Sequence, residues 1–160
     1  MKCMILSVFM IASWGVQAQP QSPFPYDCKP MTLSAGTVKL SKGAPALVML
    51  HNVSDVDLWI THPISDPSAS AGWSSRLQTK RWSAFALGSQ TFELSCIESK
   101  PGHEQQVPCS GVLAVCQWFN MKTSDKHSAP YWAGENMPLP ELLGYLGQRG
   151  FKLPEPAKEQ

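Results

Sequence analysis

The segment Ala46–His51 constrains the fold more than any other stretch of this chain. An extended chain puts alternate side chains on opposite faces, and here both faces are apolar: Ala46, Val48 and Leu50 against Leu47 and Met49. A strand of this kind belongs inside a sheet that is covered on both sides. A second apolar run, Val56–Thr61, follows the polar residues 52–55. We therefore predict a strand–turn–strand hairpin at the centre of the fold.

The rest of the chain contains further short apolar or alternating runs separated by Gly, Pro and Ser turns. They predict six or seven short strands in all, with a loop from 119 to 138. Pro140–Leu146 predicts one short helix, because proline suits a first helical turn and Gly147 ends the pattern. We therefore predict a mainly β fold, an antiparallel immunoglobulin-like β-sandwich with a short C-terminal helix.

Residues 1–18 are typical of a secretory signal peptide. Lys2 precedes an apolar run, and small residues occupy the cleavage positions before Gln19. An uncleaved anchor is the alternative, but the run is shorter than the roughly 20 residues that span a bilayer. After cleavage we expect a Pro-rich extended arm over 19–30, a single β-sandwich domain over 31–152 and a loose tail over 153–160. The expected location is periplasmic or secreted, with no integral membrane segment.

The charge of the mature chain is balanced. Removal of residues 1–18 takes away one of 13 basic residues and leaves 12, against 12 acidic residues. A net charge near zero argues against nucleic acid as a partner, and against an anionic membrane.

The cysteines predict two disulfide bonds, because an even number remains in an exported chain: Cys28, Cys96, Cys109 and Cys116. If residues 91–98 and 110–118 form a hairpin, Cys96 and Cys109 face each other at its base. Cys28 then pairs with Cys116. The alternative, Cys96–Cys116 with Cys28–Cys109, stays open.

No catalytic motif of the Gly-x-Ser-x-Gly, Ser-x-x-Lys or His-Glu-x-x-His type occurs in the chain. We therefore assign no catalytic residue and no cofactor, and an enzyme acting on peptidoglycan remains a third hypothesis. His51 and His62, together with a methionine, suggest a copper-type metal module as the alternative function. The spacing is against it, because Cys116–Met121 contains no histidine.

Tryptophans are the remaining candidates for recognition. Trp59 and Trp118 lie inside predicted strands, so we expect them to fill the core. Trp73 and Trp132 lie in predicted loops and are the candidate binding residues for a protein or cell-envelope partner. For these two, core filling from a folded-over loop is the alternative.

Five segments carry a family resemblance: Leu58–Pro63, Pro67–Trp73, Arg81–Ala84, Phe92–Ser99 and Pro108–Cys116. Over roughly residues 45–118 the chain resembles the enhanced-entry protein EnhB family of Legionella-type intracellular bacteria. The resemblance implies an exported protein that contributes to host-cell entry or intracellular survival. It brings no established active site, so no residue gains a catalytic role from it.

Overall fold

The computed structural model describes residues 23–33, 36–40, 46–62, 74–87, 92–124 and 130–156. The predicted signal peptide lies outside these residues. In chain order the described elements are β1 (Lys29–Pro30), β2 (Thr37–Leu40), β3 (Ala46–Asn52), β4 (Leu58–Thr61), β5 (Ser75–Leu77), β6 (Trp82–Leu87), β7 (Phe92–Glu98), β8 (Gln105–Val107), α1 (Cys109–Val112), β9 (Leu113–Trp118), β10 (Tyr131–Met137) and α2 (Leu139–Gln148).

The strands form two antiparallel sheets. Sheet A has the order β1-β9-β3-β6-β10, and sheet B has the order β2-β7-β4-β5 with β8 paired to β7. The sheets enclose an inner core that includes Val48, Leu58 and Phe85. The C-terminal helix α2 packs on the outer face of sheet A. The predicted mainly β fold, an antiparallel sandwich with a short C-terminal helix, is confirmed.

Strand β3 is buried on both sides, as its sequence predicts. It lies between β6 and β9 in the middle of sheet A. Val48 and Leu50 face the inner core. Leu47 and Met49 face a second core, on the outer side of sheet A, together with Leu142 of α2. Sheet A is therefore the middle layer of three.

The predicted hairpin of 46–51 and 56–61 is wrong, because β3 belongs to sheet A and β4 to sheet B. The fully buried residue Asn52 stabilises the segment in which the chain crosses from sheet A to sheet B. Its Nδ2 donates to the carbonyl oxygens of Val56, at 2.8 Å, and Leu77, at 3.0 Å. Its Oδ1 accepts from the Ser54 N–H at 3.0 Å, as in an Asx turn. A polar break between two apolar runs is thus common to hairpins and to crossings between sheets.

The disulfides are Cys28–Cys116 and Cys96–Cys109, the first of the two predicted pairings. The predicted hairpin behind that pairing is wrong, because β7 and β9 lie in different sheets and β7 pairs with β8. Residues 110–112, predicted as the start of the strand 110–118, belong instead to the helical turn Cys109–Val112. Two disulfides indicate an oxidising, extracytoplasmic environment.

The loop predicted over 119–138 is also wrong where β10 pairs with β6 at the edge of sheet A. Gly134 in β10 lies directly under α2, and a Cβ there would come 2.4 Å from Leu142 Cδ1. Asn136, with φ 55°, joins this edge to sheet B. Its Oδ1 accepts from the Gln78 N–H at 2.9 Å, and its Nδ2 donates to Gln78 Oε1 at 3.1 Å.

Candidate functional site

The outer face of sheet B carries a shallow depression, which we call the Trp59 surface. It has a volume of about 250 Å³ and is lined by Trp59, Thr61, Ser74, Ile97 and Glu104. Strand alternation creates it. Leu58 and Ile60 point into the inner core, so Trp59 and Thr61 point away from it and stay half-buried.

The sheet holds the depression in place through paired strands. Trp59 lies opposite Ile97 of β7 on one side and opposite Arg76 of β5 on the other. The hydroxyl oxygens of Thr61 and Ser95 lie 2.8 Å apart, and Ser95 is buried. Trp59, Thr61 and Ile97 therefore sit on the adjacent strands β4 and β7, whereas Ser74 and Glu104 lie immediately before β5 and β8.

The cation that lies opposite Trp59, Arg76 of β5, is engaged in an ion pair. Its Nη2 lies 2.6 Å from Asp57 Oδ2. The Glu104 carboxylate takes part in none of the side-chain hydrogen bonds and ion pairs found among the described residues. The depression thus presents an indole, two hydroxyls and one carboxylate.

A second concavity lies on the other side of the molecule, beside α2. This terminal cleft has a volume of about 590 Å³ and is mostly apolar, with Tyr26, Trp118, Leu143 and Phe151 among its lining residues. Trp118 Nε1 donates to the Tyr26 carbonyl oxygen at 3.0 Å and so ties the N-terminal arm to β9. The Tyr26 side chain is 55% exposed. The terminal cleft is therefore formed where the first and last described segments of the chain meet.

Of the two predicted binding tryptophans, Trp73 lies outside the described residues. Trp132 packs against the inner core, with its ring edge-on to Phe85 at a centroid distance of 5.2 Å. Its Nε1 is buried and has no hydrogen-bond partner among the residues that the structure describes. The geometry of Trp132 supports core filling, the alternative to binding.

The structure does not bring His51 and His62 together. His51 lies on the outer face of sheet A, where its ring stacks on Trp82 at 4.2 Å. Burial, and to a lesser extent the charge of Lys80, lowers the pKa of His51. His62 follows β4 in the other sheet, where its ring stacks on Phe92 at 4.3 Å. Because β4 runs away from the crossing beside His51, the two imidazoles lie at opposite ends of the sandwich.

His62 also has a backbone partner, since its Nδ1 lies 2.6 Å from the Glu93 carbonyl oxygen. Among the described residues no three His, Cys, Asp or Glu side chains are grouped so that they could hold a metal ion. The copper-type alternative therefore has no common site for His51 and His62 in this part of the chain.

Trp59 is the residue that the sequence prediction missed, because a tryptophan inside a strand was expected to fill the core. Trp118 does so, with 3% of its surface exposed. The available signal was the alternation Leu58-Trp-Ile-Thr61, in which the aliphatic residues already fill one face. Trp59 shares its face with a threonine, which is typical of a solvent-facing side of a strand.

No helix in the described ranges is long and apolar enough to cross a membrane. Comparisons of the chain with protein-family models, with curated proteins and with solved structures found no match.

Proposed function

We propose that the protein is a non-enzymatic binding protein of the periplasm or the extracellular space. It contacts a protein or a cell-envelope component through the Trp59 surface. The position of Trp59 supports this proposal. Trp82 and Trp118 are buried and Trp132 packs on the inner core, whereas Trp59 belongs to neither core of the described residues. A half-exposed tryptophan on a rigid sheet is a common anchor for recognition.

Two further observations support the location and the biological role. The disulfides favour an oxidising compartment, and residues 1–18 have the pattern of a secretory signal. The likeness to enhanced-entry proteins supports a role of this contact in host-cell entry or intracellular survival.

Capture from cell-envelope extracts tests the proposal. The purified disulfide-bonded protein is immobilised, and retained material is compared among wild type, Trp59→Ala and Phe119→Ala. Phe119 is a matched control because it is 56% exposed and follows β9 of sheet A, away from the Trp59 surface. We expect Trp59→Ala to lose most of the capture and Phe119→Ala to keep it, with unchanged melting curves for both.

Equal capture by wild type and Trp59→Ala would contradict the proposed surface. The entry role is tested separately by complementing a deletion strain with either chain and counting the bacteria internalised per host cell. Full complementation by Trp59→Ala would show that entry does not depend on this surface.

A further inference from the structure

We infer that the Trp59 surface binds a neutral glycan, with one pyranose ring stacked on the Trp59 indole. This inference rests on the proposed function and specifies the class of cell-envelope component that the surface recognises.

The stacking platform is fixed before a ligand arrives. Trp59 is half-buried in the middle of a strand, with cross-strand neighbours on β5 and β7. A side chain held in this way loses little rotamer freedom on binding. The C–H face of a pyranose is apolar, and the face of an indole is its natural complement because it has a large apolar area with a negative π-surface.

The polar groups around Trp59 suit hydroxyl groups. Ser74 offers a hydroxyl that donates and accepts. The Thr61 hydroxyl, which is hydrogen-bonded to Ser95, keeps a lone pair that accepts, and Glu104 offers a carboxylate that accepts from sugar O–H groups. Hydrogen bonds to a charged acceptor are the stronger ones, so Glu104 provides the directional contact beside the stacked ring.

The charges at the surface disfavour anionic ligands. Arg76, which lies opposite Trp59, is paired with Asp57. Phosphates, sulfates and anionic lipid headgroups require free cations, and they would be repelled by the carboxylate of Glu104. A hydroxyl-rich, uncharged ligand is complementary to this surface.

The size of the depression indicates how much of the ligand is contacted. Its volume of about 250 Å³ is smaller than the roughly 300–1,000 Å³ of pockets that enclose a drug-sized ligand. Among the described residues it also lies open on a sheet face. The surface therefore contacts one ring of a longer chain, and we expect a Kd on the order of 0.1–1 mM for a short oligosaccharide.

The test is a titration of the purified, disulfide-bonded protein with three neutral tetrasaccharides, cellotetraose, tetra-N-acetylchitotetraose and maltotetraose. Binding is followed by calorimetry and by amide chemical shifts. We expect at least one of them to bind, with shifts centred on residues 59, 61, 97 and 104. Trp59→Ala should weaken binding by about tenfold or more, whereas Trp59→Tyr should keep part of it. Glu104→Gln should weaken it less than Trp59→Ala does, and Phe119→Ala should bind as wild type.

Three outcomes would overturn the inference. One is the absence of binding by every tetrasaccharide up to about ten times the expected Kd. Another is wild-type affinity in a folded Trp59→Ala protein. The third is saturation of the Trp59 surface by a lysine-rich peptide but by no sugar, which would make the partner a basic protein segment. If sugar binding fails while envelope capture still depends on Trp59, the proposed function stands and only the ligand class is wrong.

Discussion

The two outer faces of the sandwich have different roles although they belong to sheets of similar size. The outer face of sheet A carries Leu47, Met49 and Ala84, all buried beneath α2 and the disulfide-tied N-terminal arm. The outer face of sheet B carries half-buried Trp59, Thr61 and Ile97. Sheet A is therefore structural on both sides, whereas sheet B contributes one side to the core and, among the described residues, has no element packed on its other side. We place recognition on the face that no element of the described residues covers.

The largest expected effect tests whether the cover of sheet A is structural. Leu142→Ala removes a fully buried side chain from the contact between α2 and sheet A. It should lower the free energy of unfolding by about 2–5 kcal/mol, because it deletes buried methyl groups and leaves a cavity. The matched change on the other face, Ile97→Ala, should cost about 1 kcal/mol or less. Chemical denaturation measures both, and similar losses at the two sites would remove the contrast between the faces.

A medium effect on stability is expected from substitutions that test how closely α2 packs on β10. Gly134→Ala places a methyl group 2.4 Å from Leu142 Cδ1, in a site with no free space. It should cost about 1–3 kcal/mol through overpacking. Gly144→Ala, on the exposed side of α2, meets nothing within 4 Å. It should stabilise the protein by about 0.5–1 kcal/mol, because alanine favours the helix more than glycine does. Melting temperatures that move in the same direction for both variants would contradict the predicted packing.

The smallest expected effect is on the pH dependence of stability. It involves His51, which stacks on Trp82 at the edge of the outer face of sheet A. Burial, followed by the charge of Lys80, lowers the pKa of His51 in the folded protein from its usual 6.5. The unfolded chain therefore takes up this proton more readily. The contribution of His51 to stability is complete above about pH 6.5 and is lost as the pH falls toward the lowered pKa. His51→Phe keeps an aromatic ring on Trp82, so its melting temperature should fall less than that of wild type between about pH 7 and 5. The same decrease in both proteins would refute the prediction.

The elements that sequence patterns could predict are those in which every local signal agrees. Strand β3 alternates apolar residues on both faces, so its position inside a covered sheet followed from its sequence. Helix α2 has a proline in its first turn and apolar residues on one side, and it extends over Leu139–Gln148, slightly beyond its predicted range. The sandwich and the helix could therefore be derived before any coordinates.

The errors arise where a distant contact decides the local structure. The crossing after β3 depends on Asn52 reaching Leu77, which is 25 residues away in sequence. Strand β10 contains Gly134, a weak strand former, because only glycine fits beneath Leu142. The alternation of residues 58–61 places Trp59 on the face that points away from the inner core, but the alternation does not show that α2 packs on sheet A and leaves this face without a cover among the described residues.

The predicted disulfide pairing is correct, although the hairpin from which it was inferred is wrong. The predicted hairpin of 91–98 and 110–118 does not exist, yet Cys96 and Cys109 meet because the neighbouring β7–β8 hairpin brings the chain back beside β7. Thirteen residues separate these cysteines, so several local arrangements could join them.

One disulfide lies within the sequence interval that the other encloses. This order affects how the native disulfides can form as the chain emerges. Cys96–Cys109 spans 13 residues, whereas Cys28–Cys116 spans 88 and encloses the first bond. A polypeptide that emerges N-terminus first presents Cys28 and then Cys96 to the oxidising machinery. Pairing in order of emergence would form a non-native Cys28–Cys96 bond. Cys28 must therefore stay reduced until β9 has emerged, or the non-native bond must be isomerised later. We expect the yield of native protein to depend on a disulfide isomerase, and recombinant production should supply one.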